Sequence, residues 1–104
     1  MLINNAGIMA LPQREVTAQN FEKQFGVNHM GHFLLTKLLL EKIKTSDEAR
    51  IVNLSSRAHG RGSFNFDDLH RQKVYSAWPA YSQSKLANVY FTRHMDKILR
   101  KTGV

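Results

Sequence analysis

Ile51-Val52-Asn53-Leu54-Ser55-Ser56 is a short, β-branched and mostly apolar run that stops on two hydroxyl side chains. Such a run is the signature of an inner strand. Ligands in open α/β sheets sit beyond the carboxyl ends of strands, so Ser55 and Ser56 mark a candidate binding end. Upstream, Met1-Leu2-Ile3 is a second apolar run, halted by Asn4, Asn5 and Gly7, as expected where a buried parallel strand gives way to a loop. Between the two runs Thr17 offers an N-cap. Phe21, Phe25, Val27, Phe33, Leu34, Leu38, Leu39 and Ile43 then recur in steps of three and four, which predicts one long helix with a buried face. Gly26 and Gly31 interrupt it, each at roughly 1 kcal/mol relative to alanine, so the pair flanking Asn28 predicts close packing or a local distortion there.

Downstream, Thr45 to Arg50 is a polar connection and Arg57 to Trp78 is irregular, holding Gly60, Gly62, Asp67 and Asp68 in place of a clear period. A connection that long is usually a functional lid or an insertion. Pro79 suits the first turn of a following helix, Leu86 to Leu99 gives that helix a broad buried side, and Gly103 can end it. Strand, helix, strand, helix with parallel strands is a slice of the doubly wound α/β pattern. The fold class is therefore α/β, a partial Rossmann-like parallel sheet with flanking helices in a three-layer α/β/α arrangement.

At 104 residues with 42% apolar composition, the chain is one packed domain or part of one. It has no cysteine, which excludes disulfides and thiolate metal sites. The net charge of +7 raises nucleic acid or an anionic membrane as partners. The basic residues are dispersed, however, and the concentration at Arg93, Lys97, Arg100 and Lys101 falls late in a helix, where cations complement the dipole. No nucleic-acid recognition motif stands behind the charge, and a cofactor phosphate is another reason for it. No stretch approaches the roughly 20 apolar residues of a membrane span, and Met1 to Asn5 lacks the regions of a signal peptide. Leu2-Ile3 reads as the end of a strand without its beginning.

The chemistry concentrates in Tyr81-Ser82-Gln83-Ser84-Lys85. Four-residue spacing sets a phenol beside an ammonium on one helical face. A phenol ordinarily titrates near ~10, and a neighbouring positive charge favours phenolate, so such a pair suits proton exchange with a carbonyl or alcohol oxygen. Ser56 at the strand end can offer a hydroxyl to the same oxygen. Each element has a plainer reading: a surface Tyr/Lys pair, a strand terminus, a satisfied polar Asn28, and turn chemistry in Asn4-Asn5-Ala6-Gly7. His29 and His32 share a helical face and raise a metal site, but no carboxylate or cysteine stands at a diagnostic spacing around them, so no metal is expected. Trp78 reads either as a packing anchor or as part of a substrate lid.

Asn4-Asn5-Ala6-Gly7 after a strand, Asn28 on the next helix, Ser56 after the second strand and Tyr81 with Lys85, in that order, resemble the short-chain dehydrogenase/reductase family. The resemblance covers essentially the whole chain. Phe25 to Phe33 and Tyr81 to Asn88 are similar in particular to its retinol dehydrogenase-like branch. The resemblance implies that Tyr81 exchanges a proton with the substrate oxygen, Lys85 acidifies Tyr81 and binds the nicotinamide ribose, and Ser56 polarises the substrate oxygen. It implies that Asn28 holds a water joining Lys85 to solvent, and that Asn5, Ala6 and Gly7 line the cofactor with Tyr81 and Lys85. The implied cofactor is NADP or NAD, NADP being favoured, and the implied substrate is a small lipophilic alcohol or carbonyl of retinoid, steroid or lipid type. A cytoplasmic or endoplasmic-reticulum-associated parent protein and self-association are both compatible with it. The family's Gly-x-x-x-Gly-x-Gly turn has no counterpart in these residues, and neither has its later substrate segment. Residues 1–104 are thus expected to be a partial NAD(P)-binding domain, the catalytic middle of a larger enzyme, with a catalytically incompetent interaction module as the alternative. Two strands covering two long helices should also leave apolar surface exposed.

Overall fold

A computed structural model describes residues 1–104. Strands β1 (Leu2–Asn4) and β2 (Ile51–Asn53) pair in parallel, with Leu2 opposite Ile51, Ile3 opposite Val52 and Asn4 opposite Asn53. The crossover between them is helical: α1 (Lys23–Phe25), a π-helical turn over Gly26–Met30, and α2 (Gly31–Lys44). Beyond β2 come two 3-10 turns, Arg57–Arg61 and Phe66–Asp68, and then the long helix α3 (Ala77–Leu99). This is the expected α/β arrangement, a small parallel sheet with flanking helices.

Side-chain alternation along the strands decides where the helices sit. Asn4 and Asn53 project from one face. Asn4 Nδ2 donates to Asn53 Oδ1 at 2.7 Å and to Thr36 Oγ1 of α2 at 2.9 Å, while Asn53 Nδ2 donates to Thr92 Oγ1 of α3 at 3.0 Å. Both long helices are thereby tied to that face. Below this polar seam Phe91, Met95 and Leu99 form a buried cluster against Leu40, Ile51 and Val104. The opposite face carries Ile3 and Val52, which are 54% and 41% exposed. Phe33, Leu34 and Leu38, expected on a buried helical side, are exposed as well. Apolar burial scales with the surface available to cover it, and two three-residue strands cover little.

The first helix begins later than its apolar spacing predicts. Thr17 caps a closed turn, in which its Oγ1 accepts from Phe21 N–H and its own N–H donates to the Phe21 carbonyl. Asn20 in that turn has φ 64°, a left-handed conformation that breaks a right-handed helix. The cap is instead the buried carboxylate of Glu22, which accepts from the N–H groups of Gln24 and Phe25. The later helix opens at Ala77, two residues before Pro79, so Ala77 and Trp78 leave the irregular segment and Pro79 keeps its place in the first turn. The distortion expected around Asn28 is present as the π turn, in which Gly31 N–H bonds to the Gly26 carbonyl. Gly26 is also closely packed, since a Cβ there would stand 2.6 Å from Thr17 Cγ2. No helix is long and apolar enough to cross a membrane.

Candidate active site

Polar side chains outnumber apolar ones among the buried residues, and Asn28, Ser84, Lys85 and Asn88 converge where the loop after β1 meets α3. Buried polar groups persist only when they are partnered, so their partners define what the site is built to hold. Asn28 is the hub. Its Oδ1 accepts from Ile8 N–H at 2.8 Å, and its Nδ2 donates to the Ile8 carbonyl at 2.9 Å and to Ser84 Oγ at 3.0 Å. The π turn leaves the Asn28 carbonyl to receive Asn88 Nδ2 at 2.8 Å, and His32 Nδ1 lies 3.0 Å from the same oxygen.

Lys85 and Gly7 meet at this hub. A Cβ on Gly7 would lie 3.5 Å from both Asn28 Oδ1 and Lys85 Nζ, so the loop, the crossover helix and α3 share one small space. Asn5, Ala6 and Gly7 are exposed there, their backbone open to a ligand. Lys85 is only 6% exposed, and the carbonyl of its residue accepts from Ser55 Oγ at 2.8 Å, which pins the end of β2 to α3. Its Nζ stands 5.8 Å from the centre of the Tyr81 ring, so the ammonium lies over the ring face of the residue one helical turn before it. Tyr81 is 8% exposed, and Trp78 lies edge-on against it at 5.9 Å.

Ser56 heads the 3-10 turn, where its hydroxyl accepts from Ala58 N–H at 3.2 Å. No hydrogen bond links it to Tyr81. The turn it opens packs on α3 so closely that a Cβ on Gly62 would come within 2.6 Å of the Ser82 carbonyl oxygen. Trp78 is 56% exposed, so it serves as an open wall rather than a buried anchor.

Supporting residues that sequence reasoning missed are Ser84 and Asn88. Ser84, Lys85 and Asn88 follow Tyr81 at three, four and seven residues, a polar stripe down one helical face that could have announced them. A second network braces the loop from below. Gln24 Oε1 accepts from Ala10 N–H, its Nε2 donates to Tyr75 Oη and to the Ala77 carbonyl, and Tyr75 donates to the Leu11 carbonyl. Burial raises the Tyr75 phenol above its ordinary value; the Gln24 bond opposes this and the charges of Glu22 and Glu15 add to it, so Tyr75 remains a donor. His29 Nδ1 lies 3.1 Å from Asn88 Oδ1, so both histidines of the pair weighed as metal ligands have protein partners.

A family model described as short chain dehydrogenase matches residues 1–104. Retinol dehydrogenase 12 from Mus musculus and from Homo sapiens are each 57% identical over 104 residues, 100% of this chain and 33% of theirs. Retinol dehydrogenase 13 from Homo sapiens is 54% identical over 105 residues, 31% of its length. The chain therefore spans about a third of the length of these relatives. A crystal structure of an uncharacterised protein from Mycobacterium Paratuberculosis superposes with a TM-score of 0.88 at 50% identity, over 98% of this chain and 37% of that one.

Proposed function

This chain belongs to the short-chain dehydrogenase family, and on that premise we propose that residues 1–104 are the catalytic middle of an NAD(P)-binding domain. The activity is interconversion of a lipophilic alcohol and its carbonyl, of retinoid, steroid or lipid type. Retinol dehydrogenases among the relatives support that substrate class. The observation that carries the reading is the meeting of Gly7, Asn28 and Lys85 within one 3.5 Å neighbourhood, with Tyr81 one helical turn before Lys85.

A nicotinamide dinucleotide fits these residues. Lys85 is buried, its ammonium opens on the exposed Asn5-Ala6-Gly7 backbone, and a side chain at Gly7 would fill the space between. A cation on a buried stem beside open backbone suits the hydroxyls of a ribose. Asn5, Ala6, Gly7, Tyr81 and Lys85 would hold the cofactor, whose nicotinamide supplies hydride in reduction and takes it up in oxidation. Whether that cofactor is NADP or NAD is set by contacts other than these five; the family resemblance favours NADP.

In reduction the Tyr81 hydroxyl gives its proton to the substrate oxygen, and in oxidation the same oxygen takes it back. The Lys85 ammonium stabilises the phenolate left behind. Ser56 donates its hydroxyl hydrogen to the substrate oxygen while its own oxygen keeps the Ala58 N–H bond, so both functions are compatible. Asn28 orders a water between Lys85 and solvent, since its Oδ1 faces the same space as Lys85 Nζ and uses one lone pair on Ile8. The test is Tyr81→Phe in the longer protein that contains this chain. Turnover of a retinoid, steroid or lipid alcohol should fall by at least ~100-fold with substrate KM little changed; an unchanged kcat sinks the assignment.

A second reading, an interaction module without turnover, draws on the exposed Ile3, Val52 and Leu38. Titration of the longer protein that contains this chain with reduced and oxidised nicotinamide dinucleotides separates the two, because the module reading requires no saturable binding there.

A further inference from the structure

Between the turn Arg57–Arg61 and the start of α3 lies a cleft of about 640 Å³, lined by Arg57, Ala58, Gly60, Arg61, Trp78 and Ser82. It adjoins both sides of the proposed chemistry, since Ser56 caps the turn and Trp78 lies against Tyr81. No carboxylate lines the cleft, and neither arginine takes part in any ion pair of the chain. Two exposed arginines thus line one hollow without a counter-charge, and an anion there meets two cations. Trp78 has one edge fixed by Tyr81 and remains more than half exposed, which leaves an aromatic surface for an apolar body.

We propose that this cleft binds an anionic group carried by the substrate itself, so the preferred substrates are amphipathic alcohols or carbonyls bearing a carboxylate remote from the reacting carbon. Arg57 and Arg61 hold the carboxylate through their planar forks, Ser82 supplies a hydroxyl at the floor, and Trp78 covers the chain between. The inference rests on the reading of Tyr81 as proton donor for its link to turnover; the binding it predicts is independent of turnover.

Trp78 is the only tryptophan in the chain, so its emission reports the cleft directly. The 104-residue chain is titrated with monomeric 12-hydroxydodecanoate and with its methyl ester, with calorimetry as a second readout. The acid should bind at least about tenfold more tightly than the ester. Arg57→Gln with Arg61→Gln should weaken acid binding about tenfold and leave the ester unaffected, whereas the paired lysine variants, which keep the charge and lose the fork, retain only part of the preference. Equal affinity for acid and ester, or an unaffected glutamine variant, overturns the proposal. So does a signal obtained only with phosphatidylserine vesicles, which makes the patch a membrane contact. Displacement of the acid by NADP, together with weaker NADP binding in the glutamine variant, also overturns it and assigns the arginines to the cofactor. In the longer protein the same preference should appear in kcat/KM for acid over ester. Unchanged turnover in Tyr81→Phe would remove the proton-donor reading and leave the binding result standing.

Discussion

The side-chain amide of Asn28 holds both backbone polar groups of Ile8, accepting from the N–H at 2.8 Å and donating to the carbonyl at 2.9 Å. A loop residue thereby acquires the pairing a strand neighbour would give, and the loop carrying Asn5 to Gly7 becomes fixed relative to α3. Asn28→Ala leaves the Ile8 pair and Ser84 without these partners at a hub where Asn28 itself is fully buried. Unfolding in urea should show a loss of about 2 kcal/mol or more. Asn28→Asp keeps the acceptor and sets a carboxylate against the Ile8 carbonyl, so it should lose a comparable amount. An alanine variant within about 0.5 kcal/mol of the parent would mean that the clasp does not hold the loop.

Lys85→Met separates function from stability. Methionine retains the apolar stem of the lysine and removes an ammonium that lies 6% exposed among neutral groups. The variant should stay within about 1 kcal/mol of the parent, because the stem keeps its packing and the ammonium makes no hydrogen bond or ion pair within the chain. Nicotinamide-dependent turnover in the longer protein should be lost at the same time. Destabilisation beyond about 1 kcal/mol would instead make Lys85 a structural residue.

How far these positions were legible depends on the range of the interactions that fix them. The two strands, α3 and the Tyr81/Lys85 pairing are written in local periodicity, and local periodicity was enough. Glu22 as a cap was not legible, because glutamate is a poor intrinsic cap and succeeds here through the closed Thr17–Phe21 turn ahead of it. The π turn was legible only as two glycines around Asn28. Exposure of Phe33, Leu34 and Leu38 was invisible to a helical period, which reports that one face differs from another and not what covers it. The Asn4, Asn53, Thr36 and Thr92 seam joins four elements across |i−j| separations of 32 to 49 residues, beyond any spacing rule.

Gly62 is a steric requirement. The nearest atoms to an added Cβ are the Ser82 carbonyl oxygen at 2.6 Å and Leu86 Cβ at 3.0 Å, and neither belongs to the mobile end of a side chain. Gly62→Ala should therefore push the Arg57–Arg61 turn off α3 and cost about 1–3 kcal/mol. Gly60→Ala is the control, since nothing lies within 4 Å of the Cβ it would add. Matching melting temperatures for the two variants would refute the close approach.

His29 gives the fold a pH dependence with a defined sign. Burial among Phe25, Phe33 and Phe91 disfavours its imidazolium and holds its pKa below 6.5; the Asn88 bond partly opposes this, and the neighbouring His32 adds to it. The unfolded chain thus takes up a proton at 6.5 before the folded chain does. This contribution to stability is complete above pH 6.5 and is lost as pH falls through the folded pKa, by at most about 1.4 kcal/mol per pH unit for one group. His29→Phe keeps an aromatic ring among its neighbours and removes the titration, at the expense of the Asn88 contact. The variant should be less stable than the parent at pH 7.5, and the difference should narrow toward pH 5.5 as the parent loses stability that the variant never had. Parallel urea midpoints for the two proteins across that interval would show that another group carries the dependence.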